Sequence, residues 1–208
     1  VAVGEPPERV HPVAMFGRIV ARFDREWPAP RLVGLVIGTI APLLVATVAW
    51  LAVSLLVDSP FVAVFAGVVL FVTCSLRRLL VTAGDVITAS ASNVSRARER
   101  LPALVGRDPD SLSPGHVRSA ALESLAENLA DGFVAPLLAF GLGSQFSLAL
   151  GIAAAVWVKA VNTLDSMLGY RSKPIGWASA RLDDLVMWLP ARVSAILLAL
   201  AAGRPAAL

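Results

Sequence analysis

The chain has 208 residues, 57% of them hydrophobic and only 16% charged, with a mean hydropathy of +0.73. That balance excludes an ordinary soluble domain and points to an integral membrane protein. The formal charge of +3 and the pI near 9.7 raise nucleic acid as a partner, but the basic residues sit in loops beside apolar runs. Positive flanks of membrane helices account for them, so no nucleic acid is expected.

In chain order, residues 4–31 carry Arg9, Arg18, Arg22, Arg25 and Arg31, while Met15, Phe16, Ile19, Val20 and Phe23 recur at helical spacing. This predicts a basic amphipathic helix at the membrane surface. Residues 32–57 then run without a charge, about 39 Å as a helix against a hydrocarbon core of about 30 Å. A turn at Asp58, Ser59 and Pro60 leads into a second uncharged run, 59–76, which holds Cys74, the only cysteine. A lone cysteine there excludes an internal disulfide and a thiolate metal site, and His11 and His116 are too far apart to share a metal-ligand motif.

Residues 77–131 hold seven arginines and the 58–60 turn none, so the N-terminal arm and the middle segment are expected in the cytoplasm and Asp58 outside. The middle segment reads as helices joined by a turn-rich loop at 107–115. The first, 84–100, is rich in Ala, Ser and Arg. In the second, 118–131, Leu122, Leu125 and Leu129 share one face while Glu123, Glu127 and Asp131 recur at i, i+4, i+8 on the other.

That carboxylate ladder is either a solvated acidic face or a cation site. Like charges at i,i+4 cost roughly 0.2–0.5 kcal/mol per pair, which a bound cation relieves, and oxygen ligands without Cys or His suit Mg²⁺. Asn128 lies beside the ladder.

A third apolar run, 133–158, either crosses once or breaks near 141–145, where Gly141 and Gly143 fall. The break keeps Lys159, Arg171, Lys173 and Arg181 on the side of the other arginines and is the favoured alternative. Beyond it, Lys159, Asn162, Thr163, Ser166 and Tyr170 fall within one helical stripe roughly 100° wide. This stripe faces either a polar ligand or a buried hydrogen-bond network. The stretch 177–184 opens another helix, in which Arg181 and Asp184 are spaced for an i,i+3 ion pair and Asp183 has no such partner. A last span is expected over 185–203, with Arg192 snorkelling to the interface or gripping an anion.

Several motifs together resemble the adenosylcobinamide-phosphate synthase family of cobalamin biosynthesis, CobD/CbiB. They are Gly4, Glu5, Pro6 and Pro7 with His11 and Pro12; Arg77 and Arg78; Gly106, Arg107 and Asp108; Glu123, Glu127, Asn128, Asp131 and Gly132. The series continues with Lys159, Asn162, Thr163, Asp165, Ser166, Gly169 and Tyr170, and closes with Arg181, Asp183 and Asp184 before Pro190, Ala191 and Arg192. Glu5 and Pro109 depart from the family's usual residues. Members begin with a membrane helix and continue past Arg192, so the chain is expected to lack the first helix and the C-terminal segment of a single domain spanning 1–208.

The resemblance implies an all-α, multi-pass protein of the cytoplasmic membrane with cytoplasmic amphipathic helices and its site on the cytoplasmic side. It also implies an enzyme that joins adenosylcobyric acid to an amino-alcohol phosphate with ATP and Mg²⁺. On that reading Lys159, Asn162, Asp165, Ser166, Tyr170, Asp183, Asp184 and Arg192 serve the chemistry. His11, Arg77, Arg107, Asn128 and Arg181 bind substrate, and Glu123, Glu127 and Asp131 hold the metal, with Asp165 or Asp183 as alternatives. The competing reading is a non-catalytic membrane signalling or scaffold protein of the same fold.

Overall fold

The computed structural model describes residues 7, 9–74, 80–81, 84, 88, 113–170 and 172–203. Among them the structure is all-helical. The expected helix over 84–100, apart from residues 84 and 88, and the motif residues Arg77 and Arg107 lie outside the described residues.

Helix α1 (Pro12–Ala21) is followed by α2 (Pro30–Leu55) and α3 (Val62–Thr73). After the middle segment come α4 (Pro114–Leu129), a π-turn (Ala130–Val134) and α5 (Ala135–Ser144), which run as one continuous helix. Helix α6 (Leu148–Leu168), a single 3₁₀ turn (Pro174–Gly176) and α7 (Trp177–Ala201) complete the chain. Four helices are long and apolar enough to cross a membrane: Pro30–Leu55, Gly115–Ser144, Leu148–Leu168 and Pro174–Ala201. The protein is therefore a multi-pass membrane protein by the length and composition of its helices.

One apolar run breaks, as the favoured alternative has it, and another is shorter as a helix than its sequence suggests. The run 133–158 is not one helix: α5 ends at Ser144 and α6 starts at Leu148, with Ser147 accepting the Leu150 N–H as its cap. The hairpin closes tightly because Gly143 and Gly151 face each other, and a Cβ on Gly143 would stand 2.9 Å from the Gly151 Cα. The run 59–76 yields only the 12 residues of α3 among those described, about 18 Å and too short to cross alone. The C-terminal run gains length instead, since α7 passes through Pro190 without ending.

Helix α6 is the centre. Half of its span is buried, against 22% for α2 and 17% for α7, and it touches α1, α2, α3, α5 and α7. At one end of the bundle Val53, Ala66, Ala149 and Ile152 form an apolar cluster that joins the 56–61 turn to the α5–α6 turn. At the other end Val20 of α1 packs with Leu164 and Leu168, leaving Met15 and Ile19 exposed as a surface-lying helix requires.

Helix α2 turns small residues inward, Gly34, Gly38, Pro42 and Ala46 at every fourth position, and presents Leu32, Leu35, Val36, Ile40, Leu43 and Leu44 outward. That is how helices pack in lipid, where apolar burial gives little drive and close backbone approach gives much. Gly34 is the tightest point, because a Cβ there would overlap the Ile175 carbonyl.

At Gly38 an added Cβ would meet nothing closer than 3.6 Å. Gly34→Ala is accordingly expected to lower the melting temperature in detergent, by overpacking worth about 1–3 kcal/mol, while Gly38→Ala melts as the parent does. Equal melting of the two variants would contradict this packing.

Candidate active site

The polar site is built where three helices meet. Pro136 lacks an N–H and its ring crowds the carbonyl four residues earlier, so the helix widens into the π-turn at Ala130–Val134. Asp131 lies in this turn and is half-buried, whereas Glu123 and Glu127 are exposed. Asn162, from the middle of α6, donates its Nδ2 to Asp131 Oδ2 across a long 3.4 Å bond, and the same amide lies beside the Asp183 carboxyl of α7.

Asp183 is 9% exposed, and its Oδ1 is buried with no hydrogen-bond partner among the described residues. Such an atom costs about 1–3 kcal/mol unless something fills the place it points to. Asp165 stands within electrostatic range of Asp184, Glu127 and Asp183, and the Lys159 charge acts on Asp131 from the other side. The centre is thus a set of mutually repelling carboxylates with one amide between two of them and one amine nearby.

The acidic ladder does not form a metal site by itself. Glu123 and Asp131 lie eight residues apart on a helix, about 12 Å, and Glu123 and Glu127 are exposed. Among the described residues no three His, Cys, Asp or Glu side chains stand close enough to hold a metal ion. The donor set at Asp131, Asp183 and the Asn162 amide still suits a hard cation such as Mg²⁺, which takes one or two carboxylates and completes its shell with water and substrate phosphates. The orphaned Asp183 Oδ1 is the atom that fits this role.

Other expected residues are placed elsewhere. The stripe on α6 divides: Lys159 and Thr163 border an apolar cavity shared with α1, α2 and α3, while Asn162 meets Asp131. The Thr163 and Ser166 hydroxyls donate to the Lys159 and Asn162 carbonyls of their own helix. The exposed Tyr170 ring carries the Lys173 amine 5.0 Å from its centre. Arg192 stacks on Trp188 at 3.9 Å and donates to the Trp188 carbonyl.

Asn128 is engaged by its own helix, donating to the Ser124 carbonyl and hydroxyl. Val117, Ala120 and Ser124 form the buried face of α4, whereas Leu122 is 54% exposed; small side chains, not leucines, mark the contact face. His11 precedes α1 as its N-cap residue without a side-chain cap bond. No ion pair joins Arg181 to Asp184 among the described residues; both instead line an open polar pocket with Arg31 and Trp177. The site residue the sequence reading missed is Arg31, which reaches this pocket from the start of α2.

These features define the class: an all-helical, multi-pass membrane protein with an acidic centre between its spans, where ionisable groups mark function by default. The chain matches the CobD/Cbib protein family over residues 1–208 and belongs to that family. It is 36% identical to the "Probable cobalamin biosynthesis protein CobD" of Methanothrix thermoacetophila, covering 98% of this chain and 68% of the relative. It is also 36% identical to the "Cobalamin biosynthesis protein CobD" of Klebsiella pneumoniae, over 97% and 65%, and 33% identical to that of Synechocystis, over 98% and 63%. The chain therefore spans about two thirds of the length of these relatives. No solved structure matches it.

The geometry places Glu127 and Lys173 toward one end of the bundle and Asp58 and Gln145 at the other. With Cys74→Ser as background, single cysteines at Glu127 and Lys173 are expected to react with an impermeant maleimide from one side of a sealed vesicle, and those at Asp58 and Gln145 from the opposite side. Labelling of Glu127 and Lys173 from different sides would dissolve the site.

Proposed function

We propose that the protein acts in cobalamin biosynthesis as an ATP-dependent amide ligase, joining a carboxylate of adenosylcobyric acid to the amine of an amino-alcohol phosphate at the cytoplasmic face of the membrane. The observation that carries this reading is the convergence of Asp131, Asn162 and Asp183 from three helices, with an unpartnered carboxylate oxygen buried among them, in a chain of the CobD/Cbib family.

Amide formation between a carboxylate and an amine needs the carboxylate activated. ATP transfers its γ-phosphoryl group to the carboxylate oxygen with release of ADP. The amine nitrogen then attacks the acyl carbon, and inorganic phosphate leaves as the C–N bond forms. Mg²⁺, when bound, neutralises nucleotide oxygens so that the phosphoryl group can move.

In this chain Asp131 and Asp183, with the Asn162 amide fixing their spacing, would hold that ion against the nucleotide. Lys159, whose charge acts on Asp131, steadies negative charge at the phosphoryl group. Asp165, half-buried beside Asp184, is placed to take the proton that the amine must lose before it attacks.

Purified protein in detergent, given ATP, Mg²⁺, adenosylcobyric acid and aminopropanol phosphate, is expected to yield the amide product by mass spectrometry, and chelation of Mg²⁺ abolishes it. Asp183→Asn should lower turnover by about 10²–10³ while the protein elutes and melts as the parent does. A parent protein without product would favour the non-catalytic reading of the fold, and an unchanged rate in Asp183→Asn would remove that residue from the site.

A further inference from the structure

Beside the carboxylate centre lies a second cavity, of about 420 Å³, between the start of α2, the 169–176 loop and the first turns of α7. Its wall carries three cations, Arg31, Lys173 and Arg181, one acid, Asp184, and the rings of Tyr170 and Trp177. Lys173 is already held by Asp24 at 2.6 Å. Arg31 and Arg181 have no ion-pair partner among the described residues, and both are exposed.

Two uncommitted guanidinium groups from different helices facing one cavity match the oxygens of a phosphate, which planar forks bind in pairs. The opposite sign enters from the other side: Asp184 lines the cavity, and Asp165 packs against Gly169, itself a lining residue, where an added Cβ would overlap its carboxyl. Asp165 and Asp184 act on each other electrostatically, so the acidic wall is continuous with the centre described above.

We propose that this cavity is the binding site for a small phosphate ester carrying a primary amine, with its phosphate on Arg31 and Arg181 and its ammonium directed to Asp184 and Asp165. The assignment rests on the ligase reading for its place in catalysis and adds the residues and the orientation. The cations outnumber the acid in the cavity, which suits a phosphate monoester dianion better than the single charge of a phospholipid headgroup. A nucleotide triphosphate brings no cation of its own to the Asp184 wall. With the phosphate at the outer end, the amine points along the wall toward Asp165, the group placed to accept its proton.

The test is equilibrium binding to the purified protein in lipid-depleted detergent, without corrinoid. The probes are ethanolamine phosphate, methyl phosphate and ATP. Ethanolamine phosphate is expected to bind the parent, and Arg31→Gln and Arg181→Gln each to weaken it at least about tenfold, the loss expected of a charge-assisted bond. Arg181→Lys should recover part of the loss. Asp184→Asn should weaken ethanolamine phosphate and leave methyl phosphate unchanged, and all variants should melt as the parent does.

Unchanged binding in both arginine variants would overturn the site. A loss confined to ATP would make it a nucleotide pocket, and displacement of ethanolamine phosphate by added phosphatidylethanolamine would make it a headgroup site; either result overturns the assignment. Binding that behaves as expected in a protein that forms no amide would sink the ligase reading and leave this site standing.

Discussion

The structure depends on how closely α6 can be approached by the backbones around it. Asn162 can stand beside both Asp131 and Asp183 only if the helices bearing those carboxylates lie within an amide's reach of α6, and in lipid that spacing is set by side-chain size rather than by apolar drive. The chain meets this with glycine on both sides of the hairpin, Gly143 against Gly151, and with Gly34 under the Ile175 carbonyl, which fixes the loop leading into α7. The acidic centre is then a consequence of packing at its two flanks. A side chain at either close contact would widen the gap that a single amide now spans.

How much of this was legible depends on what each residue pattern encodes. The hairpin between α5 and α6 could be read because Gly141, Gly143 and a polar Gln145 interrupt an apolar run, and the turn follows within three residues of Gly143. The carboxylate ladder is legible as a spacing, but i, i+4 recurrence does not say how deeply each carboxylate sits: Glu123 and Glu127 are exposed and Asp131 is half-buried. Pro136, five residues beyond Asp131, marks the π-turn in which Asp131 lies, a local widening that an i, i+4 pattern does not reveal. The polar stripe on α6 divided for a different reason. Its residues share a face roughly 100° wide, but α1 packs on one edge of that face and the π-turn on the other, and no single-helix pattern reveals which neighbour takes which edge. Asp183 was singled out as unpaired, and its orphaned oxygen agrees with that reading.

Position along the bundle also orders the charges. The end formed by the 56–61 and 145–147 turns is packed with Val53, Ala66, Ala149, Ile152 and their apolar neighbours. The other end gathers Asp24, Arg31, Lys173, Arg181 and the acidic centre, with Trp27 and Trp177 among them; Arg25 stacks on Trp27 at 4.1 Å. Aromatic rings beside cations are what a helix presents at the level of lipid headgroups, so the polar chemistry opens at an interface and reaches inward along α6 and α7.

That geometry bears on why, among the described residues, the acidic centre does not gather three carboxylates around one point. Asp131, Asp165 and Asp183 act electrostatically on one another, with exposed Glu127 and Asp184 at the margin and Lys159 as the amine whose charge acts on Asp131, and the buried members of the set are the least screened. Closing three of them around one point without a cation would add to that repulsion. Leaving two of them apart, bridged by a neutral amide, holds the cost down and keeps coordination positions for oxygens that arrive with a substrate. On the proposed ligase reading, an ion bound on those terms would be held well only with its phosphate partner present, which would couple occupancy of the centre to the phosphorylated ligand instead of to the protein alone.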